Sequence, residues 1–229
     1  MPTSRNRWAA AVRASRAASS SKGDVTQGSL FAAGPLVIVD DEHGRFAYEP
    51  GLIAPPMAAR WFDTLMATIP WQAQRREMYG REVDVPRLVQ HYALDDPALP
   101  SPLTEAAREA IAATGVRFTS VGLNLYRDGR DSVAPHNDHI DEIAEGEPIA
   151  LLSLGATRRM TLREREGAKR SFDLDLESGS LLTMSHATQF HYDHGIPKSR
   201  GEVGPRISLA FRVRPRGRAA GRHYPTKPA

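Results

Sequence analysis

From Val116 onward the chain breaks into short strand candidates separated by Gly, Asp, Glu and Pro: Val116–Tyr126, Ile149–Leu154, Met160–Arg163, Ser171–Leu176, Leu181–Met184 and Arg206–Val213. Many short strands at this spacing predict a sandwich or jelly roll. The residues ahead of them differ in character. Leu36–Val39 predicts a strand, and Pro55–Met66 a helix with Pro near its start. Pro86–Tyr92 predicts a further strand, and Leu103–Ala113 a helix ended by Thr114-Gly115. The fold class expected is therefore α+β, with an N-terminal α/β portion feeding an all-β half and no internal repeat.

At 229 residues the chain is long enough to bury a sizeable core. It contains no cysteine, which excludes a disulfide framework, a zinc-thiolate site and a cysteine nucleophile. No apolar run approaches the ~20 residues of a membrane span. With no apolar segment of a secretory signal either, the expected compartment is the cytoplasm. The net charge of +3 conceals an asymmetry. Arg5, Arg7, Arg13, Arg16 and Lys22 lie near one end against Asp24, and Arg214, Arg216, Arg218, Arg222 and Lys227 near the other. Setting these aside, 30 less 10 basic and 27 less 1 acidic residues leave a body near −6. Basic ends on an acidic body suit contact with a polyanion such as nucleic acid, though they also serve as solubilising tails. The acid-poor start further resembles an organelle transit peptide.

Residues 1–34 read as a largely disordered basic tail. Within it Gln27-Gly28-Ser29-Leu30-Phe31 resembles the short motif by which bacterial repair proteins bind the sliding clamp. The partition expected for the remainder is an α/β extension over 35–115, a jelly-roll core over 116–215 and a second basic tail over 216–229.

His136 and Asp138 are two residues apart, so on an extended strand both side chains point to one side. A second imidazole from a distant strand would complete two histidines and a carboxylate, the ligand set of non-haem Fe(II) oxygenases. Spacing alone does not choose that histidine among His186, His191 and His194. Arg206 and Arg212 are six apart on one strand and share a face. Their Cα atoms are ~20 Å apart at ~3.3 Å per residue, so two inward-leaning arginines suit opposite ends of a small dicarboxylate. Asn124 and Tyr126 supply neutral donors from another strand. An acid-binding set beside an Fe(II) set is what a 2-oxoglutarate-dependent oxygenase requires.

Several stretches together resemble the AlkB family of Fe(II)/2-oxoglutarate nucleic-acid dealkylases, nearest its members that repair double-stranded DNA. They are Pro70-Trp71-Gln72, Met78 to Val83 with Pro86-Arg87, Asn124 to Gly129, His136-Asn137-Asp138, Ser153 to Arg158, His191 to Pro197 and Pro205 to Arg212. The resemblance implies a double-stranded β-helix (jelly-roll) core with N-terminal helices and a nucleotide-recognition hairpin or lid. It implies that His136, Asp138 and His194 ligate Fe(II), with His191 structural or supporting. Asn124, Tyr126, Arg206, Ser208 and Arg212 would line the 2-oxoglutarate site, Arg206 pairing with the remote carboxylate. O₂ and 2-oxoglutarate would then yield succinate, CO₂ and hydroxylation of an N-alkyl carbon, whose collapse releases an aldehyde.

The expected substrate is alkylated DNA, with RNA as an alternative, met by a monomer that associates with the bacterial nucleoid when bound. Met78-Tyr79-Gly80 would wedge into the gap left by a flipped base. Arg81, Arg87, Arg158 and Arg163 are candidates for phosphate or lid contacts, and Trp71 for the core. The chain departs from the family where acids directly follow the metal Asp: here stand His139 and Ile140, with Asp141 and Glu142 only afterwards. Ile140 cannot accept a hydrogen bond, which puts methylated-base preference in doubt and admits bulkier or etheno adducts. Two other readings remain: a 2-oxoglutarate hydroxylase acting on protein or a small molecule, and a non-enzymatic nucleic-acid or clamp-binding module.

Overall fold

The computed structural model describes residues 34–78 and 81–215. Two antiparallel sheets organise them. Strands β1 (Leu36–Asp41), β2 (Gly44–Glu49), β3 (Gln72–Met78), β4 (Arg81–Ala93), β5 (Ser120–Tyr126), β7 (Ile149–Gly155), β10 (Leu181–Met184) and β12 (Arg206–Arg212) form the larger sheet. Its order is β1-β2-β10-β7-β12-β5-β4-β3. Strands β6 (Val133–His136), β8 (Arg158–Glu164), β9 (Ser171–Leu176) and β11 (Tyr192–Ile196) form the smaller sheet, ordered β6-β11-β8-β9.

Alternation along the strands assigns the two faces of the larger sheet. Val121, Leu123 and Leu125 of β5, with Ile207, Leu209 and Phe211 of β12, face two helices. Helix α1 (Pro55–Thr68) places Ala58, Trp61 and Leu65 on this core, a helical spacing that makes one apolar stripe. Helix α2 (Ser101–Thr114) adds Leu103, Ala106, Ala107 and Ala110. It ends at Gly115, whose φ of 71° is the left-handed conformation glycine adopts freely. Glu105 ties the helices together by accepting from Trp61 Nε1 at 2.9 Å.

The opposite face meets the smaller sheet. Phe46, Tyr48, Tyr126, Ile149, Met160, Leu162, Leu176, Leu182, Met184 and Tyr192 fill the space between, making the jelly roll that the strand pattern predicts. The strands that periodicity missed have local reasons. β6 carries Pro135, tolerated because β6 is an edge strand. β11 carries Asp193 and Gly195 in its short run.

Strand β4 is longer than Pro86–Tyr92 and pairs with β3 as a hairpin closing at Met78↔Arg81. Its register shifts between Ala73 and Arg75, so Pro86, which has no N–H to donate, lies at the irregularity. From Leu88 to Ala93, β4 also pairs with β5. The partition at 115/116 therefore does not separate two sheets: β4 and β5 lie side by side in one. The proposed tip residues Tyr79 and Gly80, the Met78 side chain, and the clamp-like motif at Gln27 to Phe31 lie outside the described residues.

Candidate metal and co-substrate site

Backbone pairing brings the two histidines together. β11 pairs with β6 so that His194 lies directly opposite His136. Gly195 permits the approach, because a Cβ there would meet Pro135 N and Val133 O at 3.0 Å. The imidazole centroids are 4.5 Å apart. Asp138, just beyond β6, places Oδ1 at 3.8 Å from His136 Nε2 and 3.9 Å from His194 Nε2. The ligand atoms of His136, Asp138 and His194 all lie within 4.8 Å of one another, near enough to share one ion.

The protonation states suit a metal. His136 Nδ1–H donates to Ala134 O at 2.9 Å, which leaves Nε2 with its lone pair in the neutral ring. Burial pushes His194 down to about 4 against the pull of Asp138, so this imidazole is neutral near pH 7. Burial alone would raise the Asp138 carboxyl. Arg212, then His194, outweigh it and hold the group well below the ordinary carboxylate value. Arg212 donates from both Nε and Nη2 to Asp138 Oδ2. One carboxylate oxygen is thereby occupied and the other faces the histidines. The donor set fits Fe(II): two neutral imidazole nitrogens and an anionic oxygen on one side.

Deeper along the same face of β12 lies Arg206, 1% exposed. Its Nη2 donates to Ser153 Oγ at 2.8 Å, and its guanidinium lies 5.3 Å from the Tyr126 ring centroid. Nε is buried without a hydrogen-bond partner. No carboxylate among the described residues forms an ion pair with it. Burial pushes this guanidinium down to about 10. A buried cation with an orphaned donor is what an anionic co-substrate needs, and Ser208 and Asn124 stand in the next row of the sheet. The fold therefore fits 2-oxoglutarate as well as iron.

The sequence expectations meet this geometry unevenly. Asn124, Tyr126, Ser208 and Arg206 share the interior face as strand parity requires. Arg212 does too, but its guanidinium binds Asp138 instead of standing ready at the far end of a dicarboxylate. Arg87 is drawn into the same wall, donating from Nε to Asn124 Oδ1 at 2.8 Å. That bond orients Asn124 so that its amide NH₂ is the group left to face a ligand.

Arg158 corrects its assignment as a substrate contact. It is 1% exposed, and its guanidinium donates to the carbonyls of Asp128, Asp131 and Pro197 at 2.8–2.9 Å. It is an internal strut for the loops flanking the site. His139 is exposed, and Ile140 is 41% exposed on a single 3₁₀ turn, Ile140–Glu142. Glu142, two residues on, accepts from Arg214 Nη1 at 2.7 Å, so this acid is engaged in holding the turn. His191 stacks on His43 at 4.6 Å and stays outside the metal triad. Trp71 packs against the helix-side core.

The site is that of a non-haem oxygenase with an acidic co-substrate. The chain belongs to the 2OG-Fe(II) oxygenase superfamily, whose sequence profile matches residues 45–212. The resemblance to AlkB proteins is borne out within it. Human DNA oxidative demethylase ALKBH2 is 36% identical over 119 residues, 48% of this chain and 46% of that protein. Human alkB homolog 3, an alpha-ketoglutarate-dependent dioxygenase, is 36% identical over 108 residues, 44% and 38% respectively. The chain thus spans under half the length of these curated relatives. The solved structure of OsALKBH1 superposes with a TM-score of 0.52 at 14% identity, covering 73% of this chain and 97% of that one. A 2OG-Fe(II) family oxidoreductase from Burkholderia pseudomallei gives 0.52 at 16%, covering 73% and 84%. These last two matches speak for the fold alone.

Proposed function

We propose that the protein oxidatively dealkylates N-alkylated bases in DNA, using Fe(II), O₂ and 2-oxoglutarate. The observation that carries the reading is the division of labour between two arginines on one strand face. Arg212 neutralises the metal-binding Asp138, while Arg206 is left buried with no carboxylate among the described residues to pair with. The nucleic-acid substrate is supported by the relatives named above and by the β3–β4 hairpin beside the site.

Bound Fe(II), with O₂ and 2-oxoglutarate, supplies the oxidant that hydroxylates the N-alkyl carbon, after which the hemiaminal expels an aldehyde and restores the base. His136, Asp138 and His194 hold the metal. Arg206, steadied by Ser153, pins the remote carboxylate of the co-substrate, and Asn124, Tyr126 and Ser208 orient it through neutral hydrogen bonds. A target base must leave the duplex to reach them, at a cost of a few kcal/mol that is least for damaged bases. Met78-Tyr79-Gly80 is the segment proposed to fill the gap.

The test is succinate and aldehyde release from 1-methyladenine, 3-methylcytosine and etheno-adducted oligonucleotides, single- and double-stranded, DNA and RNA. Turnover on DNA lesions is expected, and none on any oligonucleotide would sink the proposal. The exposed Ile140 keeps one competing reading in view, a hydroxylase of protein or small molecules. That reading predicts 2-oxoglutarate consumption with no oligonucleotide product. We also infer that Gln27 to Phe31 docks a sliding clamp and brings a monomeric enzyme to replicating bacterial DNA. Replacing Gln27, Leu30 and Phe31 by alanine should abolish clamp retention while leaving turnover on free oligonucleotides unchanged; clamp retention surviving the change refutes the contact.

A further inference from the structure

We infer that Gln189 is a positioning residue for the metal centre, fixing the backbone of Asp138 against the strand that carries His194. Gln189 is 1% exposed and lies on the single helical turn α3 (Thr188–His191), five residues before His194. Its side-chain Oε1 accepts from the Asp138 N–H at 2.9 Å. Its backbone carbonyl accepts from Asn137 Nδ2, also at 2.9 Å. Both bonds therefore reach the residues immediately following His136, across 51 and 52 positions of sequence.

Asp138 needs such a tether. β6 ends at His136, so the Asp138 N–H has no ladder partner to fix it. A ligand on irregular backbone samples more positions than one on a strand, and each lost position costs binding free energy when the ion arrives. Gln189 removes that freedom at the ligand's own amide.

The amide of Gln189 is itself oriented. Thr188 Oγ1–H donates to Ser185 O at 2.7 Å, so the same oxygen is left to accept, and Gln189 Nε2 donates to it at 3.0 Å. With the NH₂ committed there, the carbonyl oxygen is the atom that faces Asp138. The turn beneath is braced in its own right. Ser185 and Arg45 exchange two hydrogen bonds of 2.9 Å, through Arg45 N–H to Ser185 Oγ and Ser185 N–H to Arg45 O. Gly44, at φ 127°, lets the β1–β2 turn close upon it: a Cβ there would stand 2.7 Å from Thr188 Cγ2. The post that holds Asp138 is thus anchored in the larger sheet.

The inference rests on the metal assignment made above, and Mn(II) titration of the metal-free protein separates the two. Free Mn(II) is read by electron paramagnetic resonance, with thermal unfolding in chelator measured alongside. The wild-type chain should bind one ion at the triad, and no binding would sink the metal assignment itself. Gln189→Leu keeps similar bulk without the acceptor and should weaken Mn(II) by about 10- to 100-fold, the range typical of lost outer partners. Gln189→Glu keeps an acceptor oxygen for the Asp138 N–H but loses the donor to Thr188, so it should recover only part of the affinity, binding Mn(II) at least about threefold more tightly than Gln189→Leu. Asn137→Ala removes the second link alone and should cost about fivefold or more. Gln189→Leu binding Mn(II) as wild type does, or Gln189→Glu as weak as Gln189→Leu, overturns the inference. If Gln189→Leu does not fold, wild-type affinity in Asn137→Ala overturns it instead.

Discussion

Asp138→Ala eliminates 2-oxoglutarate turnover and Mn(II) binding while the chain still folds. Two imidazoles remain after the substitution, and they lie opposite each other on β6 and β11 with no anionic oxygen to complete the face. The loss should exceed the roughly 10- to 100-fold expected for an outer partner, because a direct ligand goes and the ion with it. The fold survives because Asp138 contributes no apolar contact to either core. Removing it leaves Arg212 without its ion-pair partner at a partly exposed position, which costs about 1–3 kcal/mol in the metal-free protein. Activity assays, metal titration and circular dichroism of the same preparation check all three statements. Retained turnover in Asp138→Ala would refute the ligand assignment.

Arg206→Met has effects of opposite sign on function and stability. A methionine of similar length keeps the packing against Tyr126 but cannot bind a carboxylate. Losing one partner of a buried, hydrogen-bonded charge pair costs about 2–5 kcal/mol, roughly 30- to several-thousand-fold in 2-oxoglutarate affinity. The metal-free, co-substrate-free protein responds in the other direction. There Arg206 is a desolvated cation whose guanidinium is pushed down to about 10, with an unpaired Nε. Replacing buried charge by a packed apolar chain is often stabilising by 1–4 kcal/mol, so the melting temperature of apo Arg206→Met rises by a few degrees. Titration of 2-oxoglutarate with Mn(II) present, and melting curves with and without it, test both halves. A variant that melts lower than wild type without ligands would show that Arg206 belongs to the scaffold instead of the co-substrate site.

The parts of the site that the sequence disclosed are those governed by strand parity. His136 and Asp138, or Arg206 and Arg212, share a face because an even number of residues separates them. The AlkB-like segment ending in Gly195-Ile196-Pro197 singled out His194 among three candidates. What parity leaves open is the destination of a long side chain. Arg158 belongs to a type found mostly at surfaces, yet inside the protein three carbonyls from two loops take up its two terminal nitrogens, Nη1 and Nη2, leaving Nε unpartnered. Arg212 faces inward as expected, but the acid it meets is Asp138, 74 positions away in sequence. Gln189 carries no signal at all, since its role depends on one amide oxygen and a backbone donor brought together only by the closed jelly roll. Among the elements, β4 extends beyond its predicted run because pairing with β3 sustains residues that periodicity alone does not mark. The stretch from Val116 to Thr119 reads as strand but lies outside the ladder, which begins at Ser120.

The register shift at Ala73/Arg75, with Pro86 beside it, divides the β3–β4 hairpin into two mechanical regimes. Beyond it, the outer half pairs strand to strand from Arg75↔Asp84 to Met78↔Arg81, and the β4–β5 ladder begins only at Leu88. Inside it, β4 is pinned on both edges, to β3 and to β5. The hairpin is a cantilever with a stiff root, and its fulcrum is one residue from Arg87. Arg87, beside that root, donates to Asn124, so the hairpin and the wall proposed to face the co-substrate share a hydrogen bond.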